Sequence, residues 1–122
     1  MAESRNVVLL AHGSRDPLWR EPIERIAQAM RRRDAQAQVA CAYLELTPPD
    51  LSSAVRRLVL DGAREIDVVP MLLGVGRHAR EDLPRVVADA QAACPDVLLR
   101  LRPAVGEDQR LVELIAAIAL GE

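Results

Sequence analysis

The sequence is poor in aromatic residues and has no excess of positive charge. Among its 122 residues only Trp19 and Tyr43 are aromatic, and phenylalanine is absent. Proteins that bind single-stranded nucleic acid stack bases on several aromatic rings, and proteins that bind duplexes neutralise phosphates with a basic excess. Here 16 lysine and arginine residues stand against 18 acidic residues. We therefore expect no nucleic acid partner.

Cysteine pairs and long apolar segments are also missing. Cys41 and Cys94 are far apart and do not form the CxxC spacing of a zinc ribbon or a redox motif, so we expect a reducing, cytoplasmic setting. Residues 1–6 contain an acid and lead into only a short apolar run, which predicts no signal peptide. No run approaches the roughly 20 apolar residues that span a bilayer, so no membrane association is expected.

Half of the residues are hydrophobic, and short apolar runs alternate with helical patterns. Four runs predict buried strands at residues 6–11, 38–44, 66–69 and 97–101. Pro70 cannot donate to a ladder and therefore belongs at the end of the third strand, with a looser extension through residue 73. The alternation predicts a single domain over residues 1–122. Its class is α/β, a three-layer, four-stranded parallel sheet of flavodoxin-like order 2-1-3-4 with helices on both faces.

Helix boundaries follow from capping signals. Ser14 or Asp16 is a candidate N-cap for a first helix that ends in three arginines at residues 31–33. The third helix is expected to begin just after His78, and apolar residues at helical spacing between 111 and 119 predict a fourth. Trp19, near the start of the first helix, is predicted to pack in the core, the alternative being a contact with a flat ligand.

The two histidines follow the first and third strands. His12 comes directly after strand one, and His78 lies in a glycine-rich loop after strand three. In the predicted order the sheet reverses between these strands, which is where ligands bind in such folds. A single loop histidine is more often a surface group or a helix cap, but two at one switch point favour a site. Imidazole is a common ligand of divalent metals and also accepts protons.

Charged residues flank the two histidines. Glu45 follows strand two and is either a carboxylate ligand or base, or a solvated loop acid. Arg15, Arg77 and Arg80 carry guanidinium groups that match carboxylates in bidentate geometry. The N-terminus of the third helix adds positive potential. We therefore expect a locally cationic pocket for a small polyanion, although each arginine alone is a common solubilising group.

Four segments together resemble one family. They are AHGSRDP at residues 11–17, YLEL at 43–46, VVPMLLGVGRHAREDLP at 68–84 and RPAVG at 102–106. The chain resembles the small CbiX/SirB-type class II chelatases over nearly its whole length.

The resemblance implies a lyase-class chelatase that inserts Co²⁺ or Fe²⁺ into the tetrapyrrole sirohydrochlorin, in cobalamin or sirohaem biosynthesis. Ni²⁺ is less expected, because the sequence has no histidine-rich tail or loop. The metal is a substrate, and no permanently bound cofactor is implied. The family precedent also implies a homodimer that recreates the tandem unit of longer relatives.

The resemblance also assigns residues. It implies that His12 and His78 bind the metal and assist removal of the pyrrole protons, with Glu45 as a third catalytic participant. Substrate contacts are expected from five residues: Ser14, Arg15, Gly76, Arg77 and Arg80.

Two other functions fit parts of the pattern. A non-catalytic carrier of metal or tetrapyrrole would use the same pocket. A histidine phosphatase also has a His-Gly segment after strand one, but it needs an arginine before the histidine, where this chain has Ala11.

Overall fold

A computed structural model describes residues 5–122, which form a four-stranded parallel sheet with helices on both faces. The strands are β1 (Asn6–Ala11), β2 (Gln38–Tyr43), β3 (Glu65–Pro70) and β4 (Leu98–Leu101). The helices are α1 (Glu21–Arg33), α2 (Leu51–Leu60), α3 (Arg77–Ala93) and α4 (Gln109–Ala119), and 3-10 helices at Pro17–Arg20 and Val105–Glu107 precede α1 and α4. The strand order β2-β1-β3-β4 confirms the predicted class and topology.

Residues 1–4 lie outside the described part of the chain, and the prediction about a signal peptide falls largely on them. Between residues 5 and 122, no helix combines the length and the apolar composition needed to cross a membrane. The single-domain organisation over residues 1–122 stays a prediction.

The alternation of side chains along β1 divides the core into two halves. Leu10 points into the larger half, where it shares a cluster with Val55 of α2 and Leu83 of α3. Leu9 points the opposite way and packs with Ala27 of α1. Both faces of this central strand are therefore buried, which explains why its sequence is a continuous apolar run rather than an alternating one.

Most strand ends agree with the sequence to within one residue, but the extension of the third strand is wrong. Pro70 is the last residue of β3 and pairs with Leu10 of β1. The Met71 amide still donates to the Leu10 carbonyl at 2.8 Å, and the Leu72 carbonyl accepts at 3.0 Å from the Gly106 amide in the loop after β4. Beyond Pro70 the chain is therefore held by single hydrogen bonds and not by a continued strand ladder.

The starts of α1 and α3 also differ from prediction. Asp16 caps the first 3-10 helix, its Oδ1 accepting from the Leu18 amide at 2.9 Å, and α1 begins only at Glu21. Gly76 is the extended N-cap residue of α3, so the helix begins at Arg77. His78 is consequently the second residue of α3 and not the residue before it.

Helix α4 lies apart from the sheet. Its apolar stripe is present as predicted, but the helix buries no residue, and its main packing partner is the 3-10 helix at Val105–Glu107. An open cleft of about 690 Å³, lined by Val69 of β3 and by Leu111 and Leu114 of α4, separates the helix from the sheet. Leu114 is 57% exposed and Ile118 is 66% exposed. The chain therefore presents an amphipathic helix whose apolar face is uncovered.

The cap of α2 yields a prediction about stability and pH. Asp50 Oδ1 accepts from the Ser53 amide at 2.9 Å, and this hydrogen bond holds the pKa of the Asp50 carboxyl below its usual value. Asp50→Ala should lower the free energy of unfolding by about 1 kcal/mol at neutral pH. Because the folded-state pKa is depressed, this contribution exists above the unfolded-state pKa and is lost as the pH falls through the folded-state value.

Urea unfolding of wild type and Asp50→Ala near pH 7 and about pH 3 measures both effects. Asp50→Asn is the matched control, because asparagine caps helices without titrating. Identical unfolding midpoints for wild type and Asp50→Ala at neutral pH would contradict the role given to this cap.

Candidate functional site

The two histidines lie at the same edge of the sheet. His12 directly follows β1, and the Leu44 amide donates to the Ala11 carbonyl at 2.8 Å, so the pairing of β1 with the β2 segment continues up to that point. His78 stands in the first turn of α3, which follows the adjacent parallel strand β3. Both side chains are exposed. The topology therefore places the segments that carry His12 and His78 at the carboxyl ends of two adjacent strands, where the strand order reverses.

Gly13 lets the loop after β1 contact the loop after β2. A Cβ atom at this position would lie 1.4 Å from the carbonyl oxygen of Glu45, a distance that no side chain tolerates. The glycine next to His12 therefore permits a backbone approach that any other residue would block.

Ser14 and Thr47 fasten these two loops by a reciprocal pair of hydrogen bonds. The Ser14 amide donates to Thr47 Oγ1 at 2.9 Å, and the same hydroxyl donates to the Ser14 carbonyl at 2.6 Å. The Ser14 hydroxyl accepts from the Asp16 amide at 3.1 Å. Ser14, predicted to contact substrate, therefore builds the loop that carries His12. Thr47 was not predicted as part of the site, and only its place two residues after Glu45 could have indicated it.

A second close approach joins the loops after β3 and β4. A Cβ atom on Gly106 would lie 1.7 Å from the Leu73 carbonyl oxygen, so glycine is required here as well. This contact holds the segment that leads into Gly76 and α3. The RPAVG segment at residues 102–106 therefore acts on the site indirectly, by supporting the loop before His78.

Glu45 lies beside Gly13 through its backbone, and its side chain is exposed. The Thr47 amide donates to the Glu45 carbonyl at 2.7 Å, and the intervening Leu46 has a positive φ of 64°, which marks a tight turn. No group of three or more histidine, cysteine, aspartate or glutamate side chains within residues 5–122 is close enough to hold a metal ion. His12, His78 and Glu45 therefore do not form a three-ligand cluster within one chain.

The predicted arginines are all exposed near the two loops. Arg77 forms an ion pair with Glu81 at 3.6 Å, which is weak because both groups are solvated. Among the described residues, Arg15 and Arg80 form no ion pair with an acidic side chain. Arg80 lines an open cleft of about 480 Å³ together with Arg102, which sequence reasoning did not select. The edge after β3 and β4 is thus rich in guanidinium groups that can receive carboxylates.

Trp19 does not join the core, contrary to prediction. It is 49% exposed, and its indole Nε1 donates a 2.7 Å hydrogen bond to the His12 carbonyl. The prediction failed because residues 17–20 form a 3-10 helix, which turns the side chain through a different angle from the expected first turn of an α-helix.

A polar cleft of about 340 Å³ lies between α1 and β2. Arg20 and Tyr43 line it. Burial raises the pKa of the Tyr43 phenol, and its hydroxyl has no hydrogen-bond partner among residues 5–122. Tyr43 therefore stays protonated at neutral pH and remains a potential donor at this edge.

The sequence is similar to one known family of proteins over most of its length. The sequence profile of the CbiX family matches residues 6–119. The sirohydrochlorin cobaltochelatase of Methanocaldococcus jannaschii is 27% identical over 139 aligned positions, covering 94% of this chain and 97% of that protein. The enzyme of the same name from Methanopyrus kandleri is 35% identical over 81 residues. That match covers 66% of this chain and 57% of the length of the relative.

Solved structures agree in fold. A protein from Marinobacter aquaeolei VT8, described as a CbiX protein of cobalamin biosynthesis, matches with a TM-score of 0.84 and 33% identity, covering 96% of this chain and 95% of that one. The sirohydrochlorin chelatase SirB of Bacillus subtilis subspecies spizizenii, solved with cobalt, has a TM-score of 0.79 at 24% identity, and this chain spans 49% of its length. The profile match includes both His12 and His78, and the chain belongs to the CbiX family.

Proposed function

We propose that this chain inserts Co²⁺ or Fe²⁺ into sirohydrochlorin, with His12 and His78 presenting the ion. The observation that carries the proposal is the position of two exposed imidazoles at one edge of the sheet, in a chain of the CbiX family. Further support comes from relatives named sirohydrochlorin cobaltochelatase and from SirB structures with cobalt and with Fe³⁺.

The reaction exchanges one divalent ion for two protons. Bonds form between the metal and the ring nitrogens while two pyrrole N–H bonds break, and the protons leave to a base. Neutral imidazole serves both as metal ligand and as proton acceptor, but not in the same instant. We therefore divide the roles between His12 and His78, or between successive steps. Two ligands without a third hold an ion loosely, which suits an ion that must be passed on.

Carboxylate arms of the macrocycle would be received by the guanidinium groups. Arg15 follows the loop of His12, while Arg77 and Arg80 stand in the first turn of α3. The free amides at the start of α3 add positive potential at the same end, because Gly76 supplies no side-chain cap. Holding the substrate by its rim leaves the ring face open to the ion, so the gain comes from positioning.

Glu45 is proposed as an additional base or as a transient ligand. Its backbone contact with Gly13 keeps it next to the loop of His12. Its exposed carboxylate is able to rotate, and it suits a role in accepting or relaying protons after they leave the ring. The cytoplasmic setting and the pathway, cobalamin or sirohaem, stay predictions.

A homodimer completes the proposal. Helix α4 exposes Leu114 and Ile118 beside the open cleft at Val69, and an uncovered apolar face of this kind is normally buried by a partner. A second copy is the occupant we favour, since a two-fold dimer is the commonest assembly and supplies a second set of rim residues. The dimer would be about as large as SirB, because one copy of this chain spans 49% of that protein.

Replacement of the histidines tests the function. His12→Ala and His78→Ala should each lower the rate of metal insertion by at least about 100-fold, because each removes a ligand or a base. The measurement is the absorbance change of sirohydrochlorin under anaerobic conditions with Co²⁺, Fe²⁺ or Ni²⁺. Arg56→Ala, an exposed position on α2 remote from this edge, is the control variant and should match wild type.

Two results would contradict this assignment in different ways. Acceleration that persists in both histidine variants would remove His12 and His78 from the reaction. Tight binding of metal or macrocycle by wild type without any acceleration would identify the chain as a carrier with the same pocket.

Replacement on α4 tests the dimer. Leu114→Glu should convert a species of twice the chain mass into a monomer, because it places a charge in the proposed apolar contact. Light scattering after gel filtration measures this. Glu113→Ala is the matched control, since Glu113 is exposed on the same helix and its carboxylate accepts a hydrogen bond from the neighbouring Gln109 side chain at 2.7 Å. A wild-type mass equal to one chain would contradict the dimer.

A further inference from the structure

The single tryptophan of the chain is fastened to one of the proposed metal ligands. Its indole N–H donates to the main-chain carbonyl of His12 at 2.7 Å. The ring is set by the first 3-10 helix, in which the Trp19 amide donates to the Asp16 carbonyl at 3.0 Å and the Asp16 carboxylate caps the turn. Trp19 therefore bridges back over seven residues to the backbone that carries the His12 imidazole.

The same indole forms one wall of a small hollow beside His12. The hollow measures about 160 Å³, and its lining is almost wholly apolar: Ala11, His12, Trp19, Pro22, Ile23 and Met71. An apolar cavity of about 150 Å³ is large enough for a benzene-sized ring. The space is much too small for a tetrapyrrole, and a pyrrole ring with its carboxylate arms would bury unpaired charge there, but the hollow fits a methyl group on the edge of the ring system.

We propose that Trp19 is a positioning residue that fixes the backbone of His12 and that its hollow receives a methyl-bearing edge of the flat macrocycle. The inference rests on the proposed function and adds a specificity element to it. The arginines would hold the charged arms of the substrate, while the hollow would hold a ring edge. A macrocycle fixed at both kinds of contact has a defined height and angle relative to the His12 imidazole.

Trp19 is one of only two aromatic residues in the chain, and it is half exposed. Its ring is therefore available for contact with a ligand and is not packed in the core. Aromatic faces pair favourably with flat conjugated rings, and a second wall from the Met71 thioether is soft enough to adapt to a ring edge. The bond to the His12 carbonyl restricts a loop whose ligand must reach the ion at a defined position.

The indole N–H signal of ¹⁵N-labelled wild-type protein gives the direct test, because the chain has one tryptophan and therefore one such signal. Addition of metal-free sirohydrochlorin should shift this signal strongly through the ring current of the macrocycle, which acts only at short range. An unchanged indole signal at saturating macrocycle, with binding verified by absorbance, would overturn the placement of the ring edge in the hollow.

Two substitutions of Trp19 distinguish the effect of its hydrogen bond from the effect of its aromatic ring as a wall of the hollow. Trp19→Phe keeps an aromatic wall but removes the N–H, so kcat for metal insertion should fall about threefold to tenfold while KM for sirohydrochlorin changes little. Trp19→Leu removes the aromatic wall as well and should also raise KM. Leu18→Ala is the control, because Leu18 is 65% exposed on the same 3-10 helix and does not line the hollow.

The outcomes distinguish this inference from the proposed function. Wild-type protein that neither binds nor metallates sirohydrochlorin would defeat both. Wild-type insertion with an unmoved indole signal, or with Trp19→Phe equal to wild type in kcat, would defeat only the role of Trp19. A shifted signal together with a split effect on kcat and KM is the expected result.

Discussion

The position of β1 between β2 and β3 is the constraint on which the rest of the structure depends. Strand β1 pairs in parallel with a strand on each side, and its two faces are buried by α1 on one side of the sheet and by α2 and α3 on the other. His12 directly follows β1 and His78 lies in the helix after β3, both at the carboxyl end of the sheet. An insertion or a register slip in β1 would exchange the residues on its two faces, and it would displace His12 together with the core.

Much of this arrangement was predictable because it follows from periodicity. The apolar run at β1, the proline at the end of β3 and the spacing in α2 each have one simple physical reading. The features that were missed depend on contacts between distant segments. Nothing near Gly106 in the sequence indicates that its amide reaches the Leu72 carbonyl, just beyond the end of β3. The start of α3 at Arg77 likewise depends on how the supported loop delivers Gly76.

Trp19 and α4 are two further features whose surroundings could not be predicted from local sequence patterns. A large aromatic ring next to an apolar helix pattern predicts core packing, yet a short 3-10 helix redirects it toward His12. In α4 the apolar pattern correctly predicts an amphipathic helix, but a pattern does not specify which surface covers it. Within one chain that stripe has only a 3-10 helix for its main neighbour. The sequence therefore predicted side-chain chemistry and local structure better than it predicted partners.

The two glycine contacts at the rim, at Gly13 and Gly106, divide the loops into fixed pairs. The loops after β1 and β2 touch backbone to backbone, and so do the loops after β3 and β4. Any side chain introduced at Gly13 or at Gly106 would therefore displace the loops of two strands at once. A single substitution at either glycine would disturb one half of the rim while leaving the strands beneath it paired.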